Sequence, residues 1–171
     1  MESTGSAYLY ALAAVSVTFV GFAALLVIFR QARGEPMTRY EGYFLLSFIQ
    51  PGFIVTGGAL LPPLLALCGL PAPAVWRVSG VIMAIPILLF VATLPGRRRA
   101  ATSAPIPRYV QLLSLCQLVI ALYLASNVIG ASTAAGVGPY AAAMTGLFFS
   151  VVIAYVIALS VAFAEPPKTS G

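Results

Sequence analysis

Residues 109–164 read YVQLLSLCQLVIALYLASNVIGASTAAGVGPYAAAMTGLFFSVVIAYVIALSVAFA, without one charged side chain. A helical crossing of a bilayer takes about 20 predominantly apolar residues, so this tract holds two crossings and a turn between them. Residues 130–139, Gly-Ala-Ser-Thr-Ala-Ala-Gly-Val-Gly-Pro, supply the turn, being rich in small residues and breakers. Three further charge-free stretches precede the tract: Ser3–Phe29, Gly42–Trp76 and Val78–Gly96. The pattern predicts an all-α integral membrane bundle of five transmembrane helices. Their spans fall near Tyr8–Phe29, Gly42–Leu65, Ala74–Leu94, Tyr109–Ile129 and Pro139–Ala164, in a single polytopic membrane domain over residues 1–171.

Composition agrees. Hydrophobic residues make up 61% of the chain and charged residues 8%, with a mean hydropathy of +1.02. Soluble domains carry roughly 25% charged residues, so this chain could not cover its own surface in water. The loops are too short to hold a soluble catalytic domain. The net charge of +5 does not point to nucleic acid, because the basic residues flank hydrophobic spans and form no polar surface of their own. They read as topology signals and as contacts for anionic lipid headgroups.

The amino-terminal residues carry Glu2 and no Lys or Arg before the first apolar run, which ends in Phe29-Arg30-Gln31-Ala32-Arg33. A secretory signal has a basic start and a small-residue cleavage site, so the first span is expected to be a retained helix. Charge sets its direction. Arg30, Arg33, Arg39, Arg97, Arg98, Arg99, Arg108 and Lys168 fall on one side of the five-span layout and only Arg77 on the other. The positive-inside rule then puts the 30–41 and 95–108 loops in the cytoplasm, the N-terminus outside and the C-terminus inside. Arginine outnumbers lysine eight to one in a chain rich in Ala, Gly and Pro, which fits a GC-rich bacterial genome and a bacterial cytoplasmic membrane.

The second span holds Gln50-Pro51-Gly52, Gly57-Gly58 and Pro62-Pro63. A re-entrant loop there would move Arg97–Arg99 and Arg108 outside, so the charge rule favours a true crossing. It is expected to kink at Pro51 and end near the double proline, with 63–70 lying along the outer interface. Trp76 and Arg77 would anchor the outer end of the third span.

In the last span Ala142, Gly146, Ser150, Ala154, Ala158 and Ala162 recur every four residues. Such a ladder of small residues lets a neighbouring backbone approach closely, either within the chain or in a homodimer. Ala11, Ala14, Thr18, Gly21 and Leu25 make a weaker seam on the first span, expected to pack internally.

No span carries an ionisable group near its middle, and the chain has no histidine; Glu2, Glu35, Glu41 and Glu165 lie at span ends, termini or loops. Proton relays and ion pathways are built from such groups, so a carboxylate-driven antiporter is disfavoured. Gln50 and the Gln111, Ser114, Gln117 face of the fourth span remain. They form either a neutral polar pathway with the Pro51 kink or interhelical bonds that hold the bundle together. Cys68 and Cys116, at different depths, suit neither a disulfide nor a metal site and are expected to be buried apolar thiols. Ser47, Ser114, Ser150 and Ser160 have no base to activate them. These features predict no enzyme, no cofactor and no metal.

The reading that follows is a small multi-pass protein, non-enzymatic, acting as an accessory or assembly protein through helix packing. Its partners are the bilayer and either another membrane protein or a second copy of itself. The alternative is a small channel or transporter subunit with a polar pathway near Gln50 and Gln117. Arg97, Arg98, Arg99 and Arg108 are the candidates for anionic-lipid contact.

Overall fold

The computed structural model describes residues 2–32, 34, 39–103, 106–126 and 136–162. Lys168, Arg33, Glu35, Glu165 and most of the 130–139 turn lie outside them. The described residues are helical, with no strand: α1 Glu2–Ala32, α2 Arg39–Leu67, α3 Ala72–Ala101, α4 Arg108–Ser126 and α5 Val137–Ala162. All five are long and apolar enough to cross a membrane. The physical cause is general: inside a bilayer no water can pair a free N–H or C=O, and a helix pairs them within its own segment.

The contacts give each helix its direction. Phe19 of α1 meets Phe148 and Tyr155 of α5, while Tyr8, earlier in α1, bonds Thr145, so α1 and α5 run parallel. Gly58 of α2 lies against Met144 and Met83, whereas Phe48 lies against Tyr155, so α2 opposes α5. Helices α1, α3 and α5 therefore run one way, and α2 and α4 the other. Helix α5 touches all four others, α2 packs on α1, α3 and α5, and α4 completes the bundle against α3 and α5.

The core lies between α2, α3 and α5, built from Val55 and Ala59, Met83 and Ile87, and Met144 and Leu147 respectively, with Leu9 and Leu12 closing it from α1 and Leu124 from α4. A second cluster stacks Phe19 and Phe48 edge-on against Tyr155. Large apolar side chains also cover the outside, among them Phe22, Phe53, Leu89, Val119 and Phe149. Such an apolar exterior suits lipid contact and a multi-pass membrane protein.

Three expectations about the elements need correction. Helix α2 does not end at Pro62-Pro63 but runs on to Leu67, so residues 63–67 form no separate interfacial helix. Pro62 has no N–H to give the Gly58 carbonyl, and Tyr140 of α5 donates its hydroxyl to that carbonyl at 2.7 Å instead. The helix stops in a Schellman turn: Gly69 takes a left-handed φ of 82°, Leu70 N–H donates to Leu65 O, and Gly69 N–H to Ala66 O. Helix α3 continues beyond Leu94 through the arginine triplet to Ala101, where Thr102 N–H donates to Arg98 O at 2.9 Å. Arginine is a good helix former, and positive charge suits the negative end of the helix dipole. The third correction concerns α1. Ala11, Ala14, Thr18, Gly21 and Leu25 all face outward, and the buried face is Leu9, Leu12, Ala13, Ser16, Val20 and Ala23. Small residues permit close packing without dictating which face uses it.

Candidate functional site

The arginine triplet occupies the last turns of α3, beside the first turns of α2. In a helix the Cα–Cβ bond leans toward the N-terminus, which for α3 means back into the bundle. Arg97 follows that lean. Its guanidinium lies over the Phe90 ring, 4.9 Å from the centroid, and its Nη1 donates to Oε1 of Gln50. Phe90 precedes Arg97 by seven residues, so the charge is carried back toward the level of a ring about two turns nearer the middle of α3. Cation–π contact and an amide acceptor both ease the desolvation of a cation held this way. A cleft of about 240 Å³ opens beside it, lined by Tyr43, Leu46, Arg97, Ala100 and Ala101.

The triplet divides. Arg98 is buried at 6% exposure, while Arg99 and Arg108 are exposed. Arg77 is exposed at the opposite end of α3, and its neighbour Trp76 turns inward to pack against Tyr140, with ring centroids 5.8 Å apart.

Gln117 lies elsewhere. It is buried on α4 and donates from Nε2 to Oγ of Ser150 on α5 at 3.2 Å, while Ser150 donates to Leu147 O at 2.7 Å. Helices α2 and α4 do not touch among the described residues, so Gln50 and Gln117 share no cavity there. Ser114 donates to Val110 O within its own helix, and Gln111 is exposed. The fourth-span polar face thus divides into one interhelical bond, one intrahelical bond and one outward amide. The pairings instead join residues from different sets: Gln50 with Arg97, and Gln117 with Ser150.

The ladder on α5 also divides. Residues four apart advance about 40° around a helix, so the row drifts from neighbour to neighbour. Ala142 is exposed, Gly146 faces Ile120 of α4, Ser150 faces Gln117, and Ala154 packs by Phe48 and Val151. Helix α5 continues through Ala158 and Ala162, whose side chains lie outside the description.

Closer approaches than that at Gly146 occur elsewhere, at Gly5 of α1 against Val137 and at two glycines of α2 whose sequence context reads as helix-breaking. A Cβ on Gly52 would collide with Val20 of α1, and one on Gly58 with Met144 and Met83. The Gly52 carbonyl also accepts the Ser16 hydroxyl from α1 at 2.9 Å and the Thr56 hydroxyl at 3.0 Å. Cys68 and Cys116 are free but exposed, which corrects the expectation of buried thiols. Cys68 falls in the turn after α2, and Cys116 projects from the outward side of α4, a helix that buries only Gln117, Ala121 and Leu124.

What the sequence missed was the reach of Arg97. Its position marks a span end, but its side chain returns to Gln50. No known protein family, curated protein or solved structure matches this chain.

Proposed function

We propose that this chain is a non-enzymatic accessory or assembly protein of a bacterial cytoplasmic membrane, working through the outer faces of its helices. The observation that carries the reading is the closed interior. Where α2, α3 and α5 meet, Val55, Ala59, Met83, Met144 and Leu147 are all at most 5% exposed. Among the described residues that layer is apolar, which gives a solute no polar route. Gln117, the buried polar residue of α4, is committed to Ser150. Function is then left to the surface, where apolar side chains stand on every helix.

The orientation keeps the N-terminus outside and the C-terminus in the cytoplasm. Arg97, Arg98, Arg99 and Arg108 at one end of the bundle, against Arg77 at the other, support it by the positive-inside rule. A C-terminal reporter active only in the periplasm is expected to stay silent, and activity there would reverse the layout.

A second reading, a channel or transporter subunit, keeps one specific support: Gln50 is exposed on α2 and could meet a pathway formed between copies. Native mass spectrometry of protein gently extracted from its own membrane separates the two. A stoichiometric partner protein supports the accessory role. A homo-oligomer that carries solute flux in liposomes, lost in Gln50→Leu, overturns it.

A further inference from the structure

We propose that the cleft between the start of α2 and the end of α3 binds the phosphate of an anionic phospholipid, with Arg97 as its cation. The inference begins with donors. A guanidinium has five N–H donors and no acceptor. Nη1 of Arg97 is given to Gln50, but Nε and Nη2 are buried and have no hydrogen-bond partner among the described residues. Those two atoms form the side-on fork of an arginine, the pair that matches two oxygens of one phosphate.

No counter-charge meets Arg97 among the described residues either. Gln50 is neutral, and the Phe90 face supplies only a quadrupole. Of the chain's four carboxylates, Glu2 opens α1 at the far end of the bundle, Glu41 belongs to the first turn of α2 with its side chain outside the description, and Glu35 and Glu165 lie outside the described residues. Buried donors left unpaired are costly, so the Nε–Nη2 edge favours an anionic acceptor from outside the described residues.

The cleft selects its source. Tyr43 and Leu46 belong to the first turns of α2, and Ala100 and Ala101 to the last turn of α3. It therefore lies at the basic end of the bundle, where the spans give way to loops and lipid headgroups reside. Its walls are mostly apolar, which suits the glycerol backbone and first methylenes of a lipid better than a free ion. The two alanines leave the space, and Leu46, exposed, can rotate to admit the headgroup to the Nε–Nη2 edge. Exposed Arg99 and Arg108 add positive potential nearby. A carboxylate on a partner's transmembrane helix would satisfy the same fork but would leave the cleft at the headgroup level unexplained.

The test uses the full chain in detergent, titrated with phosphatidylglycerol or phosphatidylcholine of identical chains and read by native mass spectrometry. Wild type is expected to retain the anionic lipid roughly fivefold better, about what one basic residue near the surface contributes. Arg97→Gln should abolish that preference and Arg99→Gln should leave most of it. Preference that survives Arg97→Gln, equal retention of the two lipids, or displacement of phosphatidylglycerol by millimolar inorganic phosphate would each overturn the proposal. If Arg97→Gln fails to fold, a photoreactive side chain introduced at Leu46 decides the matter in native membranes. Cross-linking to phospholipid supports the site; cross-linking to a protein in its place refutes it.

Discussion

Helices α2 and α4 invert the usual relation between helix-forming sequence and structural role. Helix α2 holds Pro51, Pro62 and Pro63 with Gly52, Gly57 and Gly58, residues that break helices in water. Helix α4 has neither proline nor glycine over Arg108–Ser126. Yet α2 packs against three helices and supplies Val55 and Ala59 to the core, whereas α4 buries only three residues. In a bilayer the backbone has no alternative partner to its own helix, so intrinsic propensity ceases to decide. Breakers then become packing devices: glycine lets a neighbour approach, and proline frees a carbonyl that another helix can claim. The cleaner helix has less to hold it.

Gly52 should give the largest effect. Gly52→Leu would drive a side chain into Val20 and part α1 from α2. Overpacking of this kind costs about 3 kcal/mol, read as a lowered midpoint in unfolding from bicelles. Val20→Ala should restore part of the loss in the double variant. Unchanged stability in Gly52→Leu would mean that α1 and α2 do not meet at this glycine, and the contrast with α4 would collapse.

The proline half of the comparison has its own cycle. Tyr140→Phe removes the donor that Pro62 makes necessary and leaves the buried Gly58 carbonyl short of a partner. The expected cost is about 1–2 kcal/mol. In a Pro62→Ala background the new N–H can reach that carbonyl, so Tyr140→Phe should then cost much less. Equal costs in both backgrounds would show that Tyr140 does not replace the missing backbone bond.

This pairing also shows where sequence reading stops. The five spans could be read because they depend on local facts, the absence of charge over a bilayer's thickness and the side on which arginines fall. Pro62-Pro63 read as an end because the compensating hydroxyl, Tyr140, lies on another helix far along the chain. Gly52 and Gly58 read as flaws, since a packing partner such as Val20 or Met144 leaves no mark beside them. Arg97 read as a span end because its backbone position was visible and its side-chain direction was not. The rows of small residues overstated their own unity: four-residue spacing fixes a drift around the helix, while the neighbours decide what each step meets.

The attachment of α4 should prove weaker. Gln117→Leu deletes the bond that Ser150 Oγ accepts, but that hydroxyl keeps one hydrogen bond by donating to Leu147 O. Interhelical polar bonds in membranes average about 0.6 kcal/mol, so the loss should be near that figure. A cost above about 2 kcal/mol would mean that α4 is held chiefly by this amide, against the limited burial that distinguishes it from α2.

Gly146 gives the smallest effect and the sharpest contrast with Gly52. An added Cβ would stand 3.4 Å from Cδ1 of Ile120, ordinary van der Waals contact. Gly146→Ala should therefore change stability by less than about 0.5 kcal/mol, the range of a substitution that disturbs no packing. Gly146→Ile extends beyond that space and should loosen α4 from α5, while Ile120→Ala alongside it should relieve the strain. Gly52→Ala, whose added Cβ alone would collide with Val20, asks the same question of α2 that Gly146→Ala asks of α5. If Gly146→Ala were the more damaging, the closer approach would belong to α5 with α4, and the breaker-rich α2 would lose its claim to pack more tightly than the α4 seam.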